Sequence, residues 1–156
     1  SQGPNYYAGM FEIMNKNSHK NLDVADASKQ DGALINQVQP NGGLNQRWYI
    51  YYEGVLGHGN SYFLTSVNSV RALDNPRSST EPGTQMHQYQ YNGGDNQLFI
   101  MEDAGDGSVY LKNVASGLYL DIKDASKNDG AAVIQSVFTG NNSQKWYFVP
   151  YNFISN

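Results

Sequence analysis

Three aspartates occupy equivalent places in a pattern that recurs along the chain, at Asp23, Asp74 and Asp121. Nine residues after each aspartate lies a glycine, and fourteen residues after that glycine lies a glutamine that precedes an aromatic residue by two positions. A carboxylate can accept hydrogen bonds from two hydroxyls at once, an amide can donate and accept, and an aromatic face can cover C–H groups. Residues of these three types together can hold the hydroxylated ring of a sugar.

The elements that must position these residues form three copies of one unit. The copies cover about residues 11–50, 62–100 and 109–149, and we expect one domain over residues 1–156. Each copy alternates short half-apolar segments with Gly-containing turns, and none has a sustained helical period. Roughly four strands per copy predict about twelve strands in an all-β fold. Since three blades are too few for a propeller, the pattern favours a closed β-trefoil.

The spacing of the copies is unequal, at 51 residues from Asp23 to Asp74 and 47 residues from Asp74 to Asp121. The four extra residues fit within Tyr52 to Asn60, whose counterpart before the third copy is shorter. We therefore predict a longer hairpin loop at this place.

Composition excludes several function classes. The net charge of -4 and the pI near 5.2, with no cluster of Lys and Arg, argue against a nucleic-acid partner. No apolar stretch approaches the length of a membrane span, and the start SQGPNYY does not resemble a signal peptide, so no membrane insertion is expected. Cysteine is absent, which excludes disulfides and thiolate metal sites. We expect no cofactor and no metal, and the signal for calcium at the Asp-rich turns is weak.

Three Gln-x-aromatic triplets carry a family resemblance: Gln46-Arg47-Trp48, Gln97-Leu98-Phe99 and Gln144-Lys145-Trp146. With the aspartate and glycine anchors, they resemble the Gln-x-Trp signature of ricin-type β-trefoil lectins over about residues 11–149. The resemblance implies a secreted, non-catalytic module that binds galactose-type sugars or plant polysaccharides through up to three shallow sites. It is also compatible with a linked catalytic or toxin domain, such as that of a secreted glycoside hydrolase.

The resemblance assigns sugar-binding roles copy by copy. The second copy matches the family pattern best, with Tyr89 as the stacking ring and Asp74, His87, Asn96 and Gln97 as polar partners, although Pro76 and Arg77 follow the aspartate. The third copy offers Asp121, Gln135, Phe138, Asn142 and Gln144, but Ser136 stands where Tyr89 stood. The first copy offers Asp23, Gln37, Asn45 and Gln46, but Val38 occupies the ring position.

Other readings of the same residues stay open. The aspartates could cap the turns that follow them by accepting backbone N–H groups. The Gln-x-aromatic triplets could be structural, with Trp48, Phe99 and Trp146 in the core and the glutamine on the same side of an alternating strand. His87 could act as a general acid, whereas His19 and His58 fall in presumed turns where no chemistry is expected.

An enzyme is not expected, because a glycosidase needs two carboxylates across one cleft and the three aspartates should lie far apart around the three-fold axis. No GxSxG, Walker-type or HExxH motif is present. The competing hypothesis is a β-trefoil without sugar affinity that binds proteins, as a receptor-binding part of a toxin or a protease inhibitor. The loop from Tyr52 to Asn60 would then be its contact surface.

Overall fold

The computed structural model describes residues 9–54 and 59–151. They form twelve β-strands, and six of these close into a barrel in the order β1-β4-β5-β8-β9-β12, with β12 pairing back on β1. The remaining strands form three hairpins, β2–β3, β6–β7 and β10–β11, one in each repeat. The prediction of an all-β trefoil with about twelve strands in three equivalent lobes is confirmed.

Each lobe contributes four strands and two short 3-10 turns. The strands of the first lobe are β1 Gly9–Asn15, β2 Asn21–Val24, β3 Ile35–Val38 and β4 Trp48–Tyr52. Those of the second are β5 Ser61–Ser66, β6 Ala72–Asp74, β7 His87–Tyr89 and β8 Phe99–Asp103. Those of the third are β9 Val109–Asn113, β10 Tyr119–Ile122, β11 Val133–Ser136 and β12 Trp146–Pro150. The 3-10 turns are Ala25–Ala27, Leu44–Gln46, Pro76–Ser78, Asp95–Gln97, Lys123–Ala125 and Asn142–Gln144.

The aromatic residues of the three triplets lie in the core, as the sequence predicts. Trp48, Phe99 and Trp146 each begin a barrel strand and are at most 1% exposed. Trp48 Nε1 also donates to the Leu22 carbonyl at 3.1 Å. The reason given for their placement was wrong, because each glutamine ends a 3-10 turn instead of lying on the same strand as the aromatic residue. Both side chains are nevertheless buried, the glutamine at the end of the turn and the aromatic residue at the start of the strand.

Three buried glutamines join neighbouring lobes, and this corrects two site predictions. The Gln37 amide donates to the Ser126 and Asn128 carbonyls of the third lobe at 3.0 and 2.9 Å. Gln135 makes the equivalent bonds to the second lobe, and Gln88 makes them to the first. Gln37 and Gln135 are 0% and 1% exposed, so they hold the lobes together and cannot contact a sugar.

The repeated glycine has a backbone reason. Gly32, Gly83 and Gly130 have φ values of +88°, +94° and +85°, in the left-handed region where a Cβ is disfavoured. Each lies in the connection between the two strands of a lobe's hairpin. The predicted loop from Tyr52 to Asn60 lies partly outside the described residues, and His58, within it, lies wholly outside them. Among the residues that are described, no helix is long and apolar enough to cross a membrane.

Candidate functional site

The carboxylate of Asp74 is the centre of the second lobe's site. Asp74 ends β6 and is 3% exposed. Its Oδ1 lies 2.7 Å from His87 Nε2, and its Oδ2 accepts from Asn96 Nδ2 at 3.1 Å and Gln97 Nε2 at 2.8 Å. Since three side chains from β7 and from the turn before β8 converge on it, the carboxylate has a fixed orientation.

A cleft of about 410 Å³ opens beside this carboxylate. It is lined by Asp74, Arg77, Ser78, His87, Tyr89, Asn92 and Asn96. The rings of His87 and Tyr89, two residues apart on β7, stack with centroids 5.7 Å apart and an interplanar angle of 21°. Tyr89 is 44% exposed, so part of its ring is open to solvent. The cleft therefore combines a carboxylate, amides and an exposed ring, and it brings together four of the residues that the sequence singled out in this repeat, Asp74, His87, Tyr89 and Asn96.

In the second lobe, the glutamine of the triplet, Gln97, holds the Asp74 carboxylate from the buried side of the cleft. Gln97 is 0% exposed, and besides its bond to Asp74 it donates to the Gln90 carbonyl at 3.0 Å and accepts from the Asn92 N–H at 2.9 Å. Gln46 and Gln144 are also 0% exposed and bond to the aspartates of their own lobes. The prediction that these three glutamines contact a sugar is wrong, because their amides are buried and fully used within the protein.

The turn-capping reading of the aspartates is wrong for two lobes of three. Within residues 9–54 and 59–151, neither Asp23 nor Asp74 accepts a backbone N–H, since their hydrogen bonds come from side chains. Asp121 does accept one, from the adjacent Ile122 N–H at 2.7 Å. The three acids are thus placed alike but held differently.

The third lobe assembles a smaller set of polar groups. Asp121 Oδ2 accepts from Gln144 Nε2 at 3.0 Å and from the Ser136 hydroxyl. Phe138 is 53% exposed and packs against Tyr110 and Tyr119, with centroids 5.0 and 5.1 Å away. Asn142 is exposed and its side chain makes no bond to Asp121. The lobe keeps its carboxylate and an exposed ring, but a serine hydroxyl bonds to the carboxylate from the position that Tyr89 occupies in the second lobe, and Ser143 stands where the second lobe has Asn96.

The first lobe has no aromatic residue at the position of Tyr89. Asp23 Oδ2 accepts from Gln46 Nε2 at 2.9 Å, while Asn45 Nδ2 donates to the Val24 carbonyl and makes no bond to Asp23. Burial raises the pKa of Asp23 above its ordinary value, the bond from Gln46 opposes this shift, and the negative charge of Asp26 adds to it. In this lobe Val38, at the end of β3, occupies the position that Tyr89 has in the second lobe.

Two residues that line the cleft were not found by sequence reasoning. Ser78 and Asn92 line the cleft, and the Asn-Gly-Gly turn that contains Asn92 was the only signal for either of them. Tyr91 stacks on Phe63 at 4.2 Å, and Phe63 stacks on Tyr51 at 4.7 Å. Tyr91 therefore packs on the barrel surface and does not line the cleft beside Tyr89.

A second cleft, of about 340 Å³, lies at the β8–β9 hairpin. Its lining includes Asp103 but no aromatic ring, and the Asp103 carboxylate accepts the N–H of Gly105 at 2.8 Å. It therefore lacks the combination of groups found beside Asp74. In the part of the chain that the structure describes, no three His, Asp or Glu side chains are grouped so that they could hold a metal ion.

Comparison with known proteins gives a family match over almost the whole chain. The profile described as "Ricin-type beta-trefoil lectin domain-like" matches residues 3–55, 45–136 and 105–153. No curated protein matches. Among solved structures, the designed three-fold symmetric protein ThreeFoil is 40% identical, with 92% of this chain and 99% of that chain covered and a TM-score of 0.86.

Two further structures are similar. An exo-β-1,3-galactanase from Clostridium thermocellum is 34% identical over 97% of this chain, with a TM-score of 0.85, and this chain spans only 32% of that enzyme. A ricin B-like lectin from Macrolepiota procera, solved in complex with lactose, is 16% identical over 92% of this chain and 96% of that chain, with a TM-score of 0.77. The last likeness concerns the fold alone.

Proposed function

Because the chain belongs to the family of ricin-type β-trefoil lectin domain-like proteins, we propose that it is a non-catalytic carbohydrate-binding module whose principal site is the Asp74 cleft. The observation that carries this proposal is the Asp74 carboxylate, held by His87, Asn96 and Gln97 at one side of a cleft with the exposed ring of Tyr89. The other two lobes offer only parts of this arrangement and serve as weaker sites.

The hydrogen-bond inventory leaves room for sugar hydroxyls. An ionised carboxylate has about four lone-pair positions, and protein groups use three of those of Asp74. The remaining position, on Oδ1, can accept a hydroxyl from a sugar. Asn96 donates from Nδ2 to Asp74 and to the Asn75 carbonyl, so its Oδ1 can accept from a neighbouring hydroxyl. Two adjacent hydroxyls of one ring would be recognised in this way.

The ring of Tyr89 supplies the apolar part of the recognition. A sugar presents C–H groups on one face, and an exposed aromatic face can cover them while the hydroxyls at the edge reach the carboxylate. Stacking of His87 against Tyr89 restricts the orientation of the tyrosine ring before the sugar arrives. Since less freedom is lost on binding, this arrangement favours affinity.

For the ligand we propose galactose-type sugars or plant polysaccharides, with galactans first. The support is the 34% identity to part of an exo-β-1,3-galactanase, which also supports secretion and attachment to a catalytic domain. Several weak sites on one trefoil would act together on a polymer that presents many copies of the same sugar.

The test is binding of the purified chain to galactose, lactose, β-1,3-galacto-oligosaccharides, and xylose and arabinose oligomers by calorimetry. We expect Asp74→Ala to weaken binding by about tenfold or more, because loss of a charged hydrogen-bond partner costs about 1.5 to 3 kcal/mol. Tyr89→Ala should weaken binding by about two- to tenfold, because a stacked ring contributes about 0.5 to 1.5 kcal/mol beyond the area that it buries. Val149→Ala is the matched control for Tyr89→Ala. The exposed fraction of Val149, 39%, is close to the 44% of Tyr89, but Val149 lies on β12 and does not line the cleft.

The proposal would be refuted by an absence of binding across plant, bacterial and animal glycans. It would also be refuted if sugars bound equally well to wild type, Asp74→Ala and Tyr89→Ala. Thermal melts accompany each variant, so that a loss of binding is not confused with a loss of fold.

A further inference from the structure

The residue three positions after each site aspartate changes its charge from lobe to lobe. It is Asp26 in the first lobe, Arg77 in the second and Asp124 in the third. All three have the same left-handed backbone conformation, with φ of 59°, 55° and 58°. Because the backbone is repeated, the three side chains leave the chain in the same direction relative to their aspartates. The second lobe thus carries a guanidinium where the other lobes carry a carboxylate.

Arg77 is available to a ligand. It is exposed, it lines the Asp74 cleft, and it makes no hydrogen bond or ion pair with any other residue of the described ranges. Asp74 does not pair with it, because His87, Asn96 and Gln97 already surround that carboxylate. The cleft therefore has one acid that already accepts three hydrogen bonds from the protein, and one cation that has no partner among the described residues.

The first lobe indicates that this position is close enough to act on the site. The charge of Asp26 contributes to the raised pKa of Asp23, so a charge there is felt at the site carboxylate. In the first and third lobes a second carboxylate would repel an anionic ligand. In the second lobe the opposite charge would attract it.

We propose that Arg77 makes the Asp74 cleft selective for sugars that carry an oxyanion, a carboxylate as in a hexuronic acid or a sulfate ester. This inference rests on the proposed sugar-binding function and specifies the ligand class of the same site. A guanidinium presents paired N–H groups that match the two oxygens of a carboxylate, or two oxygens of a sulfate, in one plane. The hydroxyls of the same sugar ring remain for Asp74 and Asn96.

The experiment compares sugars that differ only at C6. Methyl galactoside, methyl galacturonide, methyl galacturonamide and methyl galactoside 6-sulfate are titrated into the ¹⁵N-labelled chain, with the glucose series in parallel, and dissociation constants are taken from the amide signals around Asp74 and Tyr89. Methyl galacturonamide is the neutral isostere of methyl galacturonide. Comparison of the uronide with the 6-sulfate shows whether the site prefers a carboxylate or a sulfate ester. Each titration is repeated on Asp74→Ala, Arg77→Asp and Lys127→Asp.

We expect at least one anionic sugar to bind about three- to tenfold more tightly than its neutral counterparts, as an exposed but well-oriented charge pair gives. Arg77→Asp should abolish or reverse this preference. Lys127→Asp makes the same charge change in a third-lobe loop whose residues Ser126 and Asn128 contact the first lobe, and it should leave the preference in place. The preference should shrink in about 0.5 M salt, because salt screens exposed charges.

The inference is overturned if neutral sugars bind at the cleft in an Asp74-dependent way and no anionic counterpart binds more tightly. It is also overturned if the preference survives Arg77→Asp or disappears equally in Lys127→Asp. In these cases the sugar-binding function stands. If no sugar of either series binds in an Asp74-dependent way, the inference falls together with the assignment of the cleft as a sugar site.

Discussion

Replacement of Gln97 by leucine tests whether the buried glutamine positions the site without touching the ligand. Gln97 makes three hydrogen bonds, to the Asp74 carboxylate at 2.8 Å, to the Gln90 carbonyl at 3.0 Å and from the Asn92 N–H at 2.9 Å. Leucine has a similar length but can make none of them. The variant therefore leaves a buried carbonyl, an N–H and one carboxylate position without their partner.

The magnitude follows from these three bonds. A buried backbone hydrogen bond contributes about 1 kcal/mol and one to a charged group about 2 kcal/mol, so the loss is about 4 kcal/mol. The apolar side chain of leucine returns about 1 kcal/mol, which leaves a net loss of about 3 kcal/mol. For a domain of 156 residues, this lowers Tm by about 6 to 12 °C. Domains of this kind are stable by about 5 to 15 kcal/mol, so we expect the variant to stay folded at 25 °C.

The assay has two readouts and a matched control. Gln46→Leu removes the equivalent bonds in the first lobe, to Asp23 at 2.9 Å and the Gln39 carbonyl at 3.1 Å, and should lower Tm by a similar amount. Only Gln97→Leu should weaken sugar binding in the second lobe. The expected effect is about fivefold, which corresponds to about 1 kcal/mol lost as the Asp74 carboxylate turns away from its productive orientation.

Two results would refute this reasoning. If Gln97→Leu lost stability but bound sugar at the Asp74 cleft as well as wild type did, the glutamine would not position the acid. If Gln46→Leu reduced second-lobe binding as much as Gln97→Leu did, the effect would arise from general destabilisation.

Two further variants test the electrostatics and the joints between the lobes. Because burial raises the pKa of Asp23 above 3.8, the folded chain holds the proton more tightly than the unfolded chain, so the contribution of this residue to stability falls as pH rises through the folded pKa. Asp23→Asn should therefore have the same free energy of unfolding in urea as wild type near roughly pH 3, and a larger one at pH 7. A variant that is less stable than wild type at pH 7 would contradict this. Gln88→Ala removes two bonds to first-lobe carbonyls, at 3.0 and 2.8 Å, and one from the Ser69 hydroxyl at 2.7 Å. At about 1 kcal/mol each, their loss should lower Tm by about 6 to 12 °C, whereas exposed Gln39→Ala should shift it by less than about 2 °C. Equal shifts for both glutamines would argue against the inter-lobe role.

Much of the fold could be predicted because its signals are local and occur three times. A glycine with positive φ, a short alternating strand and a buried aromatic residue each depend on neighbours a few positions away. Trp48, Phe99 and Trp146 were assigned to the core from such patterns, and the structure confirms the assignment. The aspartates were likewise found as equivalent residues in the second strand of each copy.

The roles of the amides could not be separated from the sequence. Gln37 and Gln97 both lie near a site aspartate in the pattern, yet Gln37 bonds to carbonyls 89 and 91 residues away, whereas Gln97 bonds to an aspartate 23 residues away. An amide gives the same local signal in either case, because its partners are chosen by the packing of one lobe against the next. For this reason Gln37 and Gln135 were placed in sugar sites although they belong to the joints between lobes.

The sequence by itself determined that this chain is three equivalent β-units with one acid each, since spacing and turn chemistry are properties of short segments. Tertiary structure decided which of these acids faces an open cleft with an exposed ring. It also decided that Arg77 stands on the wall of that cleft with no hydrogen bond or ion pair to another residue of 9–54 or 59–151. The physical reason is that hydrogen bonds and charge pairs depend on distances in space, and only closure of the barrel brings β6, β7 and the turn before β8 together around Asp74.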